Sequence, residues 1–497
     1  MKNSLRAKLS YASGDIYGGG AFVIFSLLFM NFLVLVEGLP IFATTIIIFI
    51  GRLWDAITDP VMGRISDRTR SRFGRRRIFF LIGIVPVFLS FVMLFYSFAI
   101  TSVTTKIIYY TFAYMFFGTA FAIVMVPYNA ILSDMTSDYD ERTSFTTMRM
   151  LFSGGAALLA AVLPVTIIRN LGSPWIGPEQ APGYLAMGLV FGGIFALCWL
   201  VAFWGTKEKE DIPLPKRISM KSWLSVFSNR AYLNFLGIFL AFQIAVDLVL
   251  ALFIFYIDIV VLQYHNYEVI VGTLLVCSMI WMPIMGTIAK KKGKAYPLYI
   301  GIPIWMATTI VFIWLDSSVS VIVLCLLSAF IAIGAAAGNL STWSMLTDVF
   351  EIDEICTGTR REGIYSGMTT FLRKFASGVA VLFMGFGFTA MGFDQNQYTL
   401  LKASAMDFDP AAYAQSDIVL GIRWMFVLIP LMLLSICLFF AIKNKVNRRR
   451  FDAILKGIEA YKAHDSLDGL TPEEVKDIVT VTGLKEEALW GKKDLDS

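Results

Sequence analysis

The chain has 497 residues, 57% of them hydrophobic and only 16% charged, with a formal net charge of +5. A soluble globular domain carries about 25% charged residues, so this composition excludes one and defines an all-α membrane protein that crosses the bilayer many times. Two histidines, His265 and His464, with no His-Glu-x-x-His, phosphate loop or nucleophile elbow, leave little for an enzyme to work with, and five cysteines without paired spacing read as small core residues rather than disulfides or metal ligands.

A helix needs about 20 apolar residues to cross the hydrocarbon core. Twelve such stretches follow one another: 15–36, 41–62, 78–100, 107–132, 146–168, 184–204, 232–261, 268–289, 296–315, 319–346, 364–391 and 418–442. The first ten residues are basic and polar, and no small-residue cleavage site ends the first apolar run, so span 1 is expected to stay in the mature chain. A polar linker at 206–231 separates an N-terminal bundle, 1–205, from a C-terminal bundle, 232–446, and a tail, 447–497, follows. Twelve spans in a six-plus-six arrangement predict parallel repeats with a substrate site between the halves.

Span 2 contains Gly51-Arg-Leu-Trp-Asp-Ala-Ile-Thr-Asp-Pro60, with Asp55 and Asp59 one helical turn apart after an almost wholly apolar run. A carboxylate at bilayer depth costs roughly 2.5–3.5 kcal/mol on insertion scales. The i, i+4 spacing places both acids on one helix face, with Arg52 on the same side. That arrangement predicts a site for a proton or a small cation inside the membrane.

The connections alternate in charge. Seven arginines lie between 64 and 77, and basic clusters recur at 205–231, 290–294 and 443–450, whereas 392–417 holds one lysine against four aspartates. The positive-inside rule therefore predicts that both termini and every even-to-odd loop are cytoplasmic, in a cell (inner) membrane protein. The arginine-rich segment is too short and too close to the membrane for a nucleic-acid surface. Gly63-Arg-Ile-Ser-Asp67-Arg68, followed by Gly74-Arg75-Arg76-Arg77, resembles the loop 2–3 signature of the major facilitator superfamily. The resemblance implies a charge latch on this side that includes Asp67, Arg68 and Arg75, with Arg52 above it.

Further along the chain, Tyr128 and Asn129 follow a span-4 proline, Asp247 is flanked by apolar residues deep in span 7, and Asn339 and Trp343 lie i, i+4 on span 10. An intramembrane acid is a site candidate by default. An aromatic ring beside an amide suits a sugar, the ring covering its apolar face and the amide bonding its hydroxyls; helix–helix contact explains each residue equally well. Glu351, Asp353 and Arg361, in the acidic and basic cluster between spans 10 and 11, are expected to form a second gate. In the tail, Phe451, Ile454, Leu455, Ile458 and Tyr461 recur at helical spacing, and Thr471-Pro-Glu-Glu474 is a capping-box start for a second short helix.

Taken in order, Trp54-Asp-Ala-Ile-Thr-Asp-Pro-Val-Met-Gly63, Thr69-Arg-Ser-Arg-Phe-Gly74, Val126-Pro-Tyr-Asn129, Asp138-Tyr-Asp-Glu-Arg-Thr143, Glu351-Ile-Asp-Glu354, Thr357-Gly-Thr-Arg-Arg-Glu-Gly-Ile-Tyr365 and Phe371-Leu-Arg-Lys374 closely resemble the glycoside–pentoside–hexuronide:cation symporter family. The resemblance implies the major facilitator fold and a coupling cation, Na⁺, Li⁺ or H⁺, on Asp55 and Asp59. It implies substrate-site roles for Arg149 and for a span-11 base, Arg373 or Lys374. It also marks departures. Gly18-Gly19-Gly20 replaces a Lys-Asp pair, leaving Asp15 as the nearby acid, and Met125 replaces a sugar-binding acid. Ala122 replaces a cation-ligating threonine, with Thr119 one turn away, and Thr58 stands where an asparagine separates the two acids.

The expected protein is a cation-coupled importer of a sugar, glycoside or sugar acid, working by alternating access as a monomer among membrane lipids. It needs no cofactor beyond its coupling ion. The alternatives are a lipid-like or other amphiphilic solute, or a non-transporting membrane sensor.

Overall fold

The structure, a computed structural model, describes residues 5–96, 98, 100–135, 139–172, 178–208, 225–359, 361–392, 417–464 and 466–490. Among them the first half of the chain forms α1 (Leu5–Ile24), α2 (Ile41–Arg68), α3 (Ile78–Leu94), α4 (Val103–Met135), α5 (Tyr139–Leu171) and α6 (Ala181–Gly205). The second half forms α7 (Arg230–Phe255), α8 (Tyr267–Lys292), α9 (Tyr296–Val311), α10 (Val321–Thr357), α11 (Glu362–Ala390) and α12 (Asp417–Lys443). Helices α13 (Arg448–His464) and α14 (Pro472–Thr482) make the tail. Eleven of the first twelve helices are long and apolar enough to cross a membrane, and α3 is an apolar helix of 17 residues.

Two boundaries differ from expectation for visible reasons. Helix α1 begins ten residues before the expected start of span 1. Its first turn is partly exposed, and its polar residues are buried from Ser10 onward, where the Ser13 hydroxyl donates to the Ser10 carbonyl at 2.8 Å and lies 3.2 Å from the Cys198 carbonyl of α6. The helix then continues through two wide π-turns, Phe25–Phe29 and Phe32–Val36. Helix α10 runs eleven residues past the expected end of span 10. At 1.5 Å per residue its 37 residues reach about 56 Å, and its last turns, Ile352 and Ile355, form a separate core with Ile454, Ile458, Ile478 and Leu489 of the tail. The Trp490 amide donates to the Ile355 carbonyl at 2.9 Å, and the Trp490 ring stacks on Tyr461. Helix α14 begins with the expected capping box between Thr471 and Glu474.

The two sets of six helices repeat one packing pattern. In the first, α1 packs on α5 and α6, α4 on α2 and α3, and α3 on α6; in the second, α7 packs on α11 and α12, α10 on α8 and α9, and α9 on α12. The sets meet along α2 with α11 and α5 with α8, and the first π-turn of α1 touches α7. The side chains buried between helices are largely aromatic and aliphatic, in one continuous core. Numerous large apolar residues, such as Val85, Ile108, Leu197 and Phe383, are exposed on the outside, as expected of a surface bathed in lipid. The molecule has one basic end, carrying the 2–3 loop, Lys290–Lys294 and the tail. At the opposite end, Arg169 pairs with Glu268 at 2.6 Å.

Candidate functional site

Asp55 and Asp59 lie one turn apart on α2, but their side chains go to different neighbours. Asp55 turns toward α4. It is 1% exposed, and neither carboxylate oxygen has a hydrogen-bond partner among the described residues. It fits there because residue 118 of α4 is glycine: a Cβ at Gly118 would overlap Asp55 Oδ1. Burying an ionised carboxylate without a bonded partner is costly, and at a functional site such a group is the natural receptor for a proton or small cation.

Asp59, one turn on, meets the second half. Lys374 Nζ of α11 donates to Asp59 Oδ2 at 2.6 Å. The neighbouring Arg373 faces another acid, Asp247 of α7, at 3.6 Å, and Ser377 Oγ donates to Asp247 Oδ2 at 2.7 Å. Both span-11 bases thus point inward, each to its own carboxylate. Arg52 sits between these groups, buried, with its guanidinium 5.5 Å from the Phe22 ring and 5.8 Å from Phe25. Gly378 of α11 lies against its stem.

A matching pair lies in the first half. Arg149 Nε of α5 is 3.0 Å from Asp15 Oδ2 of α1, Arg149 Nη2 donates to Asn129 Oδ1 at 2.7 Å, and the guanidinium lies over the Tyr128 ring at 4.9 Å. The first helix of each half therefore supplies an acid and the fifth helix supplies its arginine: Asp15 with Arg149, Asp247 with Arg373. This is the internal repeat written in side chains.

These groups converge on one cavity of about 450 Å³. Arg52, Arg149, Arg373 and Lys374 line it, opposed by Asp15, Asp59 and Asp247, with Asn129 and Trp343 and the apolar Phe22, Phe121, Met125 and Met150 between them. Trp343 is 47% exposed and packs edge-on against Phe239. Asn129, Met150 and Trp343 are exposed, so the cavity is open on the basic side. On the far side it ends at the π-turns of α1, where the partly buried Ser26 lines it and the other residues of the two turns are buried.

Other expected residues are placed elsewhere. Thr58 Oγ1 donates to the Asp55 carbonyl of its own helix at 3.3 Å, and Thr119 Oγ1 accepts from Trp54 Nε1 at 2.9 Å while donating to the Met115 carbonyl. Tyr128 is fully buried beneath the cavity, its hydroxyl donating to the Tyr11 carbonyl at 2.8 Å. Asn339 is outside the lining, one turn from Trp343.

At the basic end, the Arg75, Arg76 and Arg77 amides all donate to the Glu208 carboxylate, at 2.9, 2.8 and 2.6 Å. Glu208, just after α6, thus caps α3, where the helix dipole favours an anion. The sequence offers no signal that singles it out from Glu210 and Asp211, which follow it among the linker lysines. Arg68 is exposed, and the side chain of Asp67 falls outside the described residues. In the second half Arg361 clamps Asp353 with two nitrogens, Nε at 2.8 Å, and donates to Ser225 Oγ at 2.8 Å. Tyr365 donates to the same carboxylate at 2.7 Å. This hydrogen-bonding raises the pKa of Arg361 above its ordinary value. Glu351 lies close by on α10, half-buried.

Two six-helix bundles around a charged cavity define a secondary transporter of the major facilitator type. Within that class the chain belongs to the MFS/sugar transport protein family, whose model matches residues 10–448, and it is of the glycoside–pentoside–hexuronide:cation symporter kind. It is 27% identical to a putative sulfoquinovose importer of Salmonella typhimurium, over 93% of this chain and 94% of that one. It is 25% identical to a sodium-dependent lysophosphatidylcholine symporter of Danio rerio, over 68% of this chain and 69% of that one. In fold it is similar to a crystallised bacterial homologue of the human lysosomal transporter Spinster, inward-facing and unoccupied. That likeness has a TM-score of 0.59 at 15% identity, covering 91% of this chain and 96% of that one.

Proposed function

We propose that this chain imports a sugar, glycoside or sugar acid together with Na⁺ or H⁺. The two bundles, 1–205 and 232–446, rock about the central cavity, the linker 206–231 and the tail 447–497 lie in the cytoplasm with the basic end, and the membrane is the cell (inner) membrane. The observation that carries this reading is Asp55, a buried carboxylate with two unbonded oxygens, one turn from an Asp59 already held by Lys374. A cation or proton arriving at this pair competes with the lysine for Asp59. Displacement of Lys374 loosens the tie between α2 and α11 and frees a base beside the solute. By linkage, whatever the ion does for solute affinity the solute does for ion affinity.

The solute sits between the Asp15–Arg149 and Asp247–Arg373 pairs. Each pair offers donors and acceptors to hydroxyls, and the arginines suit a carboxylate or sulfonate, while Trp343 covers an apolar sugar face. A cavity of about 450 Å³ bounded by charge favours a compact polar solute. The apolar residues Phe22, Phe121, Met125 and Met150 in its wall favour the second reading, an amphiphile, and the Danio rerio relative supports it.

The test is uptake into proteoliposomes of labelled sugars, sugar acids and lysolipids under a Na⁺ or a pH gradient. The wild type should concentrate one class of solute under one gradient. Asp55→Asn should abolish concentration at least tenfold while solute exchange persists; gradient-driven accumulation equal to wild type would remove Asp55 from the coupling site.

A further inference from the structure

A second cavity, of about 540 Å³, opens at the basic end on the flank of the second half, away from the central cavity. Its walls come from the end of α8 and the turn after it, from the middle of α10, and from the hinge that joins α12 to α13. The inner part is apolar: Gly286 and Ala289 of α8, Leu340 and Met345 of α10, Val446 of the hinge and Phe451 of α13. The mouth is charged. Lys294 is already spoken for, since it pairs with Asp348 and donates to the Ser344 carbonyl at 3.0 Å. Lys290 is not: its ammonium has no partner among the described residues. Arg448 uses only Nη1, which donates to the Lys290 carbonyl at 2.7 Å. Asp452 is the remaining acid of the lining, and Lys291 and Lys292 follow at the end of α8, so the mouth carries net positive charge.

The position matters as much as the chemistry. Helix α8 leaves the apolar layer at Ala289 and becomes three successive lysines, which places the mouth at the level where lipid headgroups lie. The inner walls lie at the level of the acyl chains. A basic mouth over an apolar slot at the membrane boundary matches an anionic phospholipid. Gly286 leaves the slot open, its nearest outside atom being Leu340 Cδ2 at 3.9 Å from an added Cβ.

We propose that this cavity binds one anionic phospholipid, its phosphate on Lys290 and Arg448 and the upper part of one chain between Gly286, Leu340 and Phe451. Because Phe451 belongs to the tail and Leu340 to the transmembrane bundle, the lipid ties α13 to α8 and α10. The proposal does not depend on which solute the central cavity carries.

The experiment uses the full-length protein in detergent and three probes: phosphatidylglycerol, phosphatidylcholine of the same chains, and inorganic phosphate. Native mass spectrometry and thermal unfolding are both read. The wild type should retain one phosphatidylglycerol at least tenfold more tightly than phosphatidylcholine, and only the anionic lipid should raise the unfolding midpoint. Lys290→Gln/Arg448→Gln should lose that preference while its midpoint in phosphatidylcholine stays near wild type. Gly286→Leu, which fills the slot without changing charge, should lose retention of the lipid. Equal stabilisation by inorganic phosphate would make this an anion site and overturn the lipid proposal. An undiminished phosphatidylglycerol preference in both variants would overturn the location.

Discussion

Lys374 of α11 and Asp59 of α2 form a 2.6 Å ion pair that joins the two halves inside the central cavity. Among the described residues, the other ion pair between the halves is Arg169 with Glu268 at the opposite end. The acids Asp15 and Asp247 are paired within one half or the other, and Arg52 lies against the Phe22 and Phe25 rings. In the proposed coupling, a single lysine stands where an arriving cation would act.

Lys374→Gln removes the resident positive charge from Asp59. Cation affinity should then tighten by about tenfold, worth about 1.4 kcal/mol, because the ion no longer competes with an ammonium. Concentrative uptake should fall in the same variant, since ion binding no longer changes the tie between α2 and α11. Calorimetric titration with Na⁺ and with protons, paired with uptake assays, separates the two effects; unchanged affinity would mean that Lys374 does not compete for the site.

Gly118→Ala tests the pocket around Asp55 without touching a charge. The added methyl overlaps the Asp55 carboxylate, and overpacking of a tight interior costs about 1–3 kcal/mol. Ion affinity should drop at least fivefold, with a lowered unfolding midpoint. Gly155→Ala, on the neighbouring α5 and with open space around it, should change neither.

Asp247 and Arg373 should behave as a unit. Asp247→Asn leaves a guanidinium without its carboxylate, and Arg373→Gln leaves the acid held only by Ser377. Breaking a buried pair costs about 3–5 kcal/mol; here the arginine side chain is 35% exposed, so the loss should fall below that range. The double variant should recover thermal stability relative to either single variant but not solute affinity. A double variant no more stable than the singles would mean that the pair is not energetically coupled.

Glu208→Gln should loosen the start of α3. It weakens three hydrogen bonds from consecutive amides and removes an anion from a helix N-terminus, a loss of about 1–2 kcal/mol by analogy with capping residues. Hydrogen exchange at residues 75–80 should accelerate, with α9 and α10 unaffected.

The spans and the acids of α2 were legible in the sequence because bilayer burial leaves a direct mark: a long apolar run, and any charge within it conspicuous. Where each side chain would point was not. Asp55 and Asp59 share a face by spacing, but Gly118 on α4 and Lys374 on α11 decide that one is sealed in and the other exposed to the cavity. Thr58 and Thr119 each donate the hydroxyl proton to a carbonyl of their own helix, the common fate of threonine in a helix, and spacing alone does not announce that orientation. The Asp15–Arg149 and Asp247–Arg373 pairs join residues more than a hundred positions apart, and no local pattern announces such a contact. The last turns of α10 carry acids, which read as a loop in the sequence until the tail is seen to cover them.

The Arg169–Glu268 pair at the end away from the arginine-rich loop has a thermodynamic consequence for the working cycle. While the cavity is open on the basic side, this pair fastens α5 to α8, and in the proposed alternating-access cycle passage to the opposite opening would break it. Each turnover then includes a step whose free energy depends on ionic strength, because the separated partners are better screened than the closed pair. Salt would speed the opening of this end and slow its closing, so the salt dependence of the transport rate reports which of the two limits the cycle.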